Sequence, residues 1–291
     1  MSTATLALLA DRGVVAVTGE DAKAFLDNLI TNDMDLLANQ GAIHAGLLSP
    51  QGKILFAFFV VPTADGFLLE TARAQAPDLV KRLGLYKLRA KVAVGDLSSS
   101  RVVVAAWGGP APDVALSLAY ADPRHGALGW RLIMAPEMAA KLGHEDAGAD
   151  AYHAHRIALG VPDAGRDFAL GDTFPHEANF DVQAGASFTK GCFVGQEVVA
   201  RMQHKTVVRK RVVGISGEGA LEPGVEIRIG EAVIGTVGSV AGGKALALLR
   251  LDRAAEANAK GQPLTAGGST ISVDATTLSA YEAAAAARAQ A

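Results

Sequence analysis

The chain has 291 residues, half of them apolar and a fifth charged, with a formal net charge of −3. That is enough apolar material for two or three cores, and it leaves no overall field that would draw the molecule to nucleic acid or an anionic membrane. Its single cysteine excludes an internal disulfide framework, a self-contained CxxC or zinc site, and an iron–sulfur cluster held by this chain's thiols alone.

The start of the chain, M-S-T-A-T-L-A-L-L-A-D-R, lacks a basic n-region and has only a short apolar run, so neither a signal nor a transit peptide is expected. Val14 to Val17 reads as a short strand. Ala22, Phe25, Leu26 and Leu29 then recur at helical spacing, with Thr18 or Asp21 placed to cap and Asn32-Asp33 to end the helix. Ser49-Pro50-Gln51-Gly52 carries turn chemistry between two apolar runs and predicts a hairpin. The run from Ile54 to Val61 is too short to cross a bilayer and predicts a buried strand. A cytoplasmic protein without a membrane partner is expected.

Phe67 to Glu70 predicts a strand, residues 76 to 83 a helix, and the alternation from Lys87 to Val94 another strand. From Arg101, three strands and a helical stretch from Pro136 to Leu142 follow, then G-H-E-D-A-G-A-D as a linker or cap, then a helix over 151–159. Residues 160 to 190 show no period, and a run of that length in a compact protein is either functional or conceals elements that its pattern does not reveal. Beyond Arg209, short β-rich runs alternate with Pro223-Gly224, Gly242-Gly243 and Gly267-Gly268, which predicts a small β-barrel or sandwich. The last dozen residues are alanine-rich and predict a frayed helix or a disordered tail.

Three stretches carry candidate chemistry. In T-K-G-C-F-V-G-Q-E, Cys192 sits between Gly191 and Gly195, beside Lys190 and ahead of a helix in which Glu197 and Arg201 stand four apart. A helix N-terminus and a cation both favour thiolate, the form that acts as nucleophile and soft-metal ligand. A buried structural thiol is the competing reading. In F-P-H-E-A-N-F-D, Glu177, Asn179 and Asp181 are polar groups in aromatic company that could bond a guanidine-like edge such as a pterin's. His176 beside Glu177 is too few for a metal site. The stretch H-K-T-V-V-R-K-R-V-V is basic but lacks interleaved aromatics, so a solvated strand entering the last domain is favoured over RNA binding.

T-K-G-C-F-V-G-Q-E-V-V-A-R resembles the signature of the YgfZ family of folate-binding proteins, which includes the Iba57-type iron–sulfur assembly factors. V-T-G-E-D-A-K-A-F-L-D-N-L-I-T-N-D, L-L-S-P-Q-G-K-I-L-F, L-Y-K-L-R-A-K-V, D-P-R-H-G-A-L-G-W-R and R-I-A-L-G-V-P support the resemblance in this order, which spans about Leu9 to Val273. Through the related glycine cleavage T-protein, the resemblance implies an α+β, three-domain ring with mixed α/β N-terminal and middle domains and a C-terminal β-barrel. The expected division is 1–96 with 151–204 as a discontinuous folate-binding-like domain, 97–150 as a middle domain, 205–279 as the barrel, and 280–291 as the tail.

The resemblance also implies tetrahydrofolate as cofactor, no permanently bound metal, and a part in assembling or repairing iron–sulfur clusters, including four-iron enzymes that modify tRNA. Partners would be assembly or carrier proteins and cluster-containing clients, and direct nucleic-acid binding is not expected. Cys192 and Lys190 would act at the site, with Cys192 a transient iron ligand, and Gly191, Phe193, Gly195, Gln196, Glu197 and Arg201 would shape its loop. Folate contacts are assigned to Glu177, Asn179, Asp181 and Asp78.

Phe193 stands where the family usually has tyrosine. Arg156-Ile157-Ala158 lacks the carboxylate of the T-protein's R-x-E segment. Arg12 and Tyr152-His153 occupy the neighbourhood of the pocket tryptophans of bacterial members. An assembly factor is therefore expected rather than an enzyme; the alternative is a tetrahydrofolate-dependent aminomethyl transferase using Asp78 or Glu177.

Overall fold

The computed structural model describes residues 4–112, 114, 117–142, 146–205 and 207–289. Part of the expected linker (residues 143–145) and Thr206 of the basic stretch lie outside them. The chain divides into two compact units, Met1–Tyr152 with Phe180–Gln196, and His153–Asn179 with Glu197–Ala291.

The first unit holds two antiparallel sheets. β1 (Thr5–Leu8), β2 (Arg12–Thr18), α1 (Ala22–Asp27), β3 (Ile43–Leu48), β4 (Ile54–Thr63), β5 (Gly66–Ala72), α2 (Ala76–Tyr86) and β6 (Ala93–Asp96) follow in order. β7 (Val102–Trp107), β8 (Leu118–Ala121), β9 (Trp130–Met134) and α3 (Pro136–Ala139) complete it up to the start of α4 (Ala149–Ala158). The five-stranded sheet runs β3-β4-β5-β2-β6. Its core joins Val15, Val17, Ile43, Leu47, Phe58 and Val60 to Phe25 and Leu26 of α1 and to Leu79 and Leu83 of α2, the apolar stripes that helical spacing dictates. Asp21 takes the N-cap position of α1, yet its side chain makes no cap bond and instead accepts the Lys91 N–H at 2.8 Å.

The second sheet runs β1-β7-β9-β8. Thr5 to Leu8 pair with Trp107 to Val104, so a strand from the chain's start belongs to the sheet expected of residues 97–150 alone. Four residues are too short a run to announce this in sequence. The strand expected from Lys87 to Val94 is confined to its last two residues, the start of β6; residues 88 and 89 form a turn, with Lys87 to Arg89 exposed, and Val92 is buried in the core. The alternation of burial holds from Arg89 to Val94 and breaks at Leu88, which is 90% exposed with φ +42°.

Among the described residues, 160–190 contains turns and one isolated bridge, as its lack of period suggests. α5 (Gln196–Lys205) follows the cysteine loop. The expected basic strand from His204 is therefore split: its first two residues end α5, and its strand begins at Lys210.

In the second unit β10 (Lys210–Gly217), β11 (Glu226–Ile229), β12 (Ala232–Ala241), β13 (Lys244–Arg250), α6 (Leu251–Ala259), β14 (Leu264–Ala266), β15 (Ser269–Val273) and α7 (Ala275–Ala289) follow. The six strands close as β10-β13-β12-β11-β14-β15, because β15 returns to pair with β10. Closure satisfies every edge and encloses Val213, Ile227, Val237, Ala247 and Leu249. The alanine-rich tail is helical to Ala289, in keeping with alanine's propensity, and Leu278 anchors it to the barrel core.

Candidate functional site

The cysteine loop is held from both sides. The Lys190 side chain is 2% exposed, and its ammonium donates to the carbonyl oxygens of Asp27 at 2.6 Å, Asn32 at 2.8 Å and Ile30 at 3.2 Å, and to Asp27 Oδ1 at 3.0 Å. These carbonyls follow from α1, whose C-terminal end favours a cation. An ammonium has three donors, and four acceptors surround this one, so Lys190 ties the loop down. Its donors are committed to the loop's anchor.

On the other side, Gly195 has φ +81°, and a Cβ there would meet Ser49 O at 2.7 Å and Gly52 Cα at 3.0 Å in the β3–β4 hairpin. Only glycine allows both the conformation and that approach. Between the anchors, Phe193 is buried with the Lys190 ammonium 5.6 Å from its ring centre, and its carbonyl accepts the Gln196 N–H at 3.2 Å. Gly191 and Cys192 are left exposed, and the thiol is free. The buried-thiol reading is thereby excluded.

Replacing Lys190 with methionine keeps the stem and removes the donors. Losing charge-assisted bonds to buried carbonyls is expected to loosen the loop by about 1.5–3 kcal/mol. Amide hydrogen exchange over residues 187–196 should accelerate roughly tenfold or more. An unchanged rate would show that the ammonium does not hold the loop.

The other expected residues are arranged differently. Glu197 and Arg201 are exposed, and among the described residues no ion pair joins them. Glu177 Oε2 accepts the Phe174 N–H at 2.8 Å, and its carbonyl accepts the Val212 N–H at 2.8 Å. Asn179, at φ +64°, donates to Val212 O at 2.9 Å and accepts from Arg211 at 3.1 Å. Both residues thus fasten their loop onto β10, Glu177 through its carbonyl and Asn179 through its side chain. Asp181 is half-buried in the first unit, and Asp78 is exposed in the first turn of α2. Arg156, where the carboxylate-bearing segment was sought, is 1% exposed and bonds Asp167 at 2.7 Å, Ser239 at 2.6 Å and Val161 O at 3.0 Å. It is a structural brace of the second unit.

Sequence reasoning missed a buried ionic cluster in the first unit. Glu70 in β5, fully buried, accepts Arg12 Nε at 2.9 Å, Arg131 and the Tyr120 hydroxyl. Asp122 accepts Arg124 Nη2 at 2.8 Å and Arg131 Nε at 2.9 Å, and Tyr152 bonds both arginines. The three guanidiniums lie 4.8–5.9 Å from the Phe59 ring centre. Burial would raise the Asp122 carboxyl, but Arg124 and Arg131 overcome it and hold Asp122 well below the usual carboxylate range. Burial, then Arg124, pushes nearby His44 down to about 3, so the ring is neutral against Phe59 and Phe180. The signal available in the sequence was single charges inside apolar strands, Glu70 in F-L-L-E-T and Arg131 in W-R-L-I-M.

Two antiparallel sheets with their helices and a closed six-stranded barrel define a T-protein-like fold. The glycine cleavage aminomethyltransferase T of Bartonella henselae superposes on 95% of this chain and 86% of its own with a TM-score of 0.75 at 19% identity, which establishes the fold. Residues 209–278 match the CAF17 C-terminal beta-barrel domain. The mitochondrial iron–sulfur cluster assembly factor IBA57 of Mus musculus is 32% identical over 257 residues, covering 80% of this chain and 72% of that protein. The IBA57 homolog of Mycosarcoma maydis is 35% identical over 232 residues, covering 74% of this chain and 58% of its own length.

The chain belongs to the family of IBA57 iron–sulfur cluster assembly factors. It spans little more than half the length of several of the curated relatives it matches. These relatives carry mitochondrial names, which overturns the cytoplasmic placement expected from sequence. Among the described residues no helix is long and apolar enough to cross a membrane.

Proposed function

We propose that this chain assists the assembly of iron–sulfur clusters by presenting Cys192 as a transient ligand or sulfur-handling thiol to a second protein. The observation that carries the reading is an exposed thiol on a loop pinned by the buried Lys190 ammonium and the close approach of Gly195. Such a thiol must meet another molecule without first being ordered, and anchoring removes that entropic cost from the encounter. Thiolate is a soft ligand suited to iron and sulfur chemistry.

A cluster takes about four protein ligands. Among the described residues no group of three His, Cys, Asp or Glu side chains converges to hold a metal ion. The remaining ligands would come from assembly or carrier proteins, or from the client. Four-iron enzymes, including those that modify tRNA, are the proposed clients. Tetrahydrofolate enters only as a proposed ligand of the fold, with no contact assigned to Glu177 or Asn179, whose side chains serve their own loop.

The test replaces Cys192 with serine in cells whose own copy of the gene is deleted. The variant should accumulate and unfold like the wild type, because an exposed side chain supports no core. Four-iron enzyme activity should fall to the level of the deletion strain. Normal activity of those enzymes would reject the reading.

A further inference from the structure

The end of α2 offers a second surface. α2 buries Ala76, Leu79 and Leu83 and leaves Gly84 and Leu85 of its last turn, and Lys87 to Arg89 after it, in solvent. Leu85 is 65% exposed and Leu88 is 90% exposed. Leu88 also holds φ +42°, a conformation that a leucine adopts only at a cost. Around the two leucines lie Lys81, Arg82, Lys87, Arg89 and Lys91, and no acidic residue falls between 81 and 91. Only Lys91 of these five forms an ion pair among the described residues, with Glu20 at 2.7 Å. In a chain whose net charge is −3, this is a concentrated cationic patch with two aliphatic side chains at its centre.

We propose that residues 81–91 are a docking surface for an anionic lipid bilayer, with Leu85 and Leu88 entering the headgroup boundary and the cations resting on lipid phosphates. Charge complementarity argues for an anionic partner. The composition selects lipid over protein: protein interfaces are poor in lysine and rich in aromatic anchors, whereas membrane-surface segments combine aliphatic tips with lysine and arginine. The turn keeps Leu88 outward by its own backbone, since Ala90 N donates to Lys87 O at 2.7 Å and Lys91 N to Asp21 at 2.8 Å. This proposal is independent of the cluster role of Cys192.

The test is co-sedimentation of the full chain with vesicles of phosphatidylcholine alone and of phosphatidylcholine with phosphatidylglycerol. Binding should require the anionic lipid and weaken as salt rises. Neutralising the four unpaired cations (Lys81→Gln, Arg82→Gln, Lys87→Gln, Arg89→Gln) should weaken it at least a hundredfold, at roughly fivefold per cation. Leu85→Gln with Leu88→Asn should weaken it about tenfold or more, and asparagine tolerates the left-handed turn, so the loop is preserved. All these side chains are exposed, so thermal unfolding should match the wild type. No binding to anionic vesicles, or binding that the variants leave unchanged, overturns the proposal. Variants that lower client-enzyme activity in cells without any vesicle binding would assign the patch to a protein instead.

Discussion

Replacing Asp122 with asparagine is expected to destabilise the first unit by about 3–5 kcal/mol, the cost of leaving a buried charge unpaired. Asp122 is 3% exposed and its two oxygens accept from Arg124 and Arg131, which are themselves buried. The amide keeps the shape and can still accept at one oxygen. It removes the charge that holds two guanidiniums in place, and Glu70 already serves Arg12 and Arg131. A loss of this size is a large fraction of the total stability of about 5–15 kcal/mol common for a domain. Both tryptophans, Trp107 and Trp130, lie in the first unit, so fluorescence-detected urea unfolding follows this unit without interference from the barrel. An unchanged midpoint would show that the cluster is dispensable to stability.

Stability should fall on mild acidification, and His44 should be responsible for much of the slope. Its pKa in the folded protein is about 3, against 6.5 for the free side chain. Protons therefore bind the unfolded chain first as pH drops below 6.5. The stabilisation is fully present above 6.5 and is lost as pH falls toward 3. One proton of difference gives a slope of about 1.4 kcal/mol per pH unit, so about 2 kcal/mol should be lost between pH 6.5 and 5, before most carboxylates titrate. The groups acting on the ring are Arg124 and Arg12, which oppose its protonation, and Asp122, which favours it, as does the hydrogen bond to the Gln183 carbonyl. His44→Gln should flatten the fluorescence-detected stability between pH 6.5 and 5; the same slope in that variant would place the effect elsewhere.

Legibility followed the range over which each feature is encoded. The barrel strands were readable because glycine and proline pairs punctuate them, and the hairpin at Ser49–Gly52 because its turn chemistry is local. The cysteine loop was readable as a motif, yet the role of Lys190 was not, since its acceptors lie some 160 residues earlier in the chain. The ionic cluster draws Arg12, Glu70, Asp122, Arg131 and Tyr152 from separate segments that meet only once both sheets have formed. At Leu88 the period misled because the backbone turns there at φ +42°, so the alternation that continues to Val94 does not extend the strand back to Lys87. The strand β14 left no cue of its own, because the run Leu264–Ala266 is too brief to show a period.

The anchoring of the cysteine loop has a consequence for the birth of the protein on the ribosome. Every strand of both sheets, from β1 to β9, is made before residue 152, whereas the loop's holdfasts wait at Asp27 to Asn32 and at the Ser49–Gly52 hairpin. The thiol follows its holdfasts in the chain, after the long turn-rich segment has been synthesised. Placement of Cys192 is thus a late, non-local step, set by closure of a large loop. A nascent chain stalled before residue 190 would carry the sequence of both sheets and yet no thiol to offer.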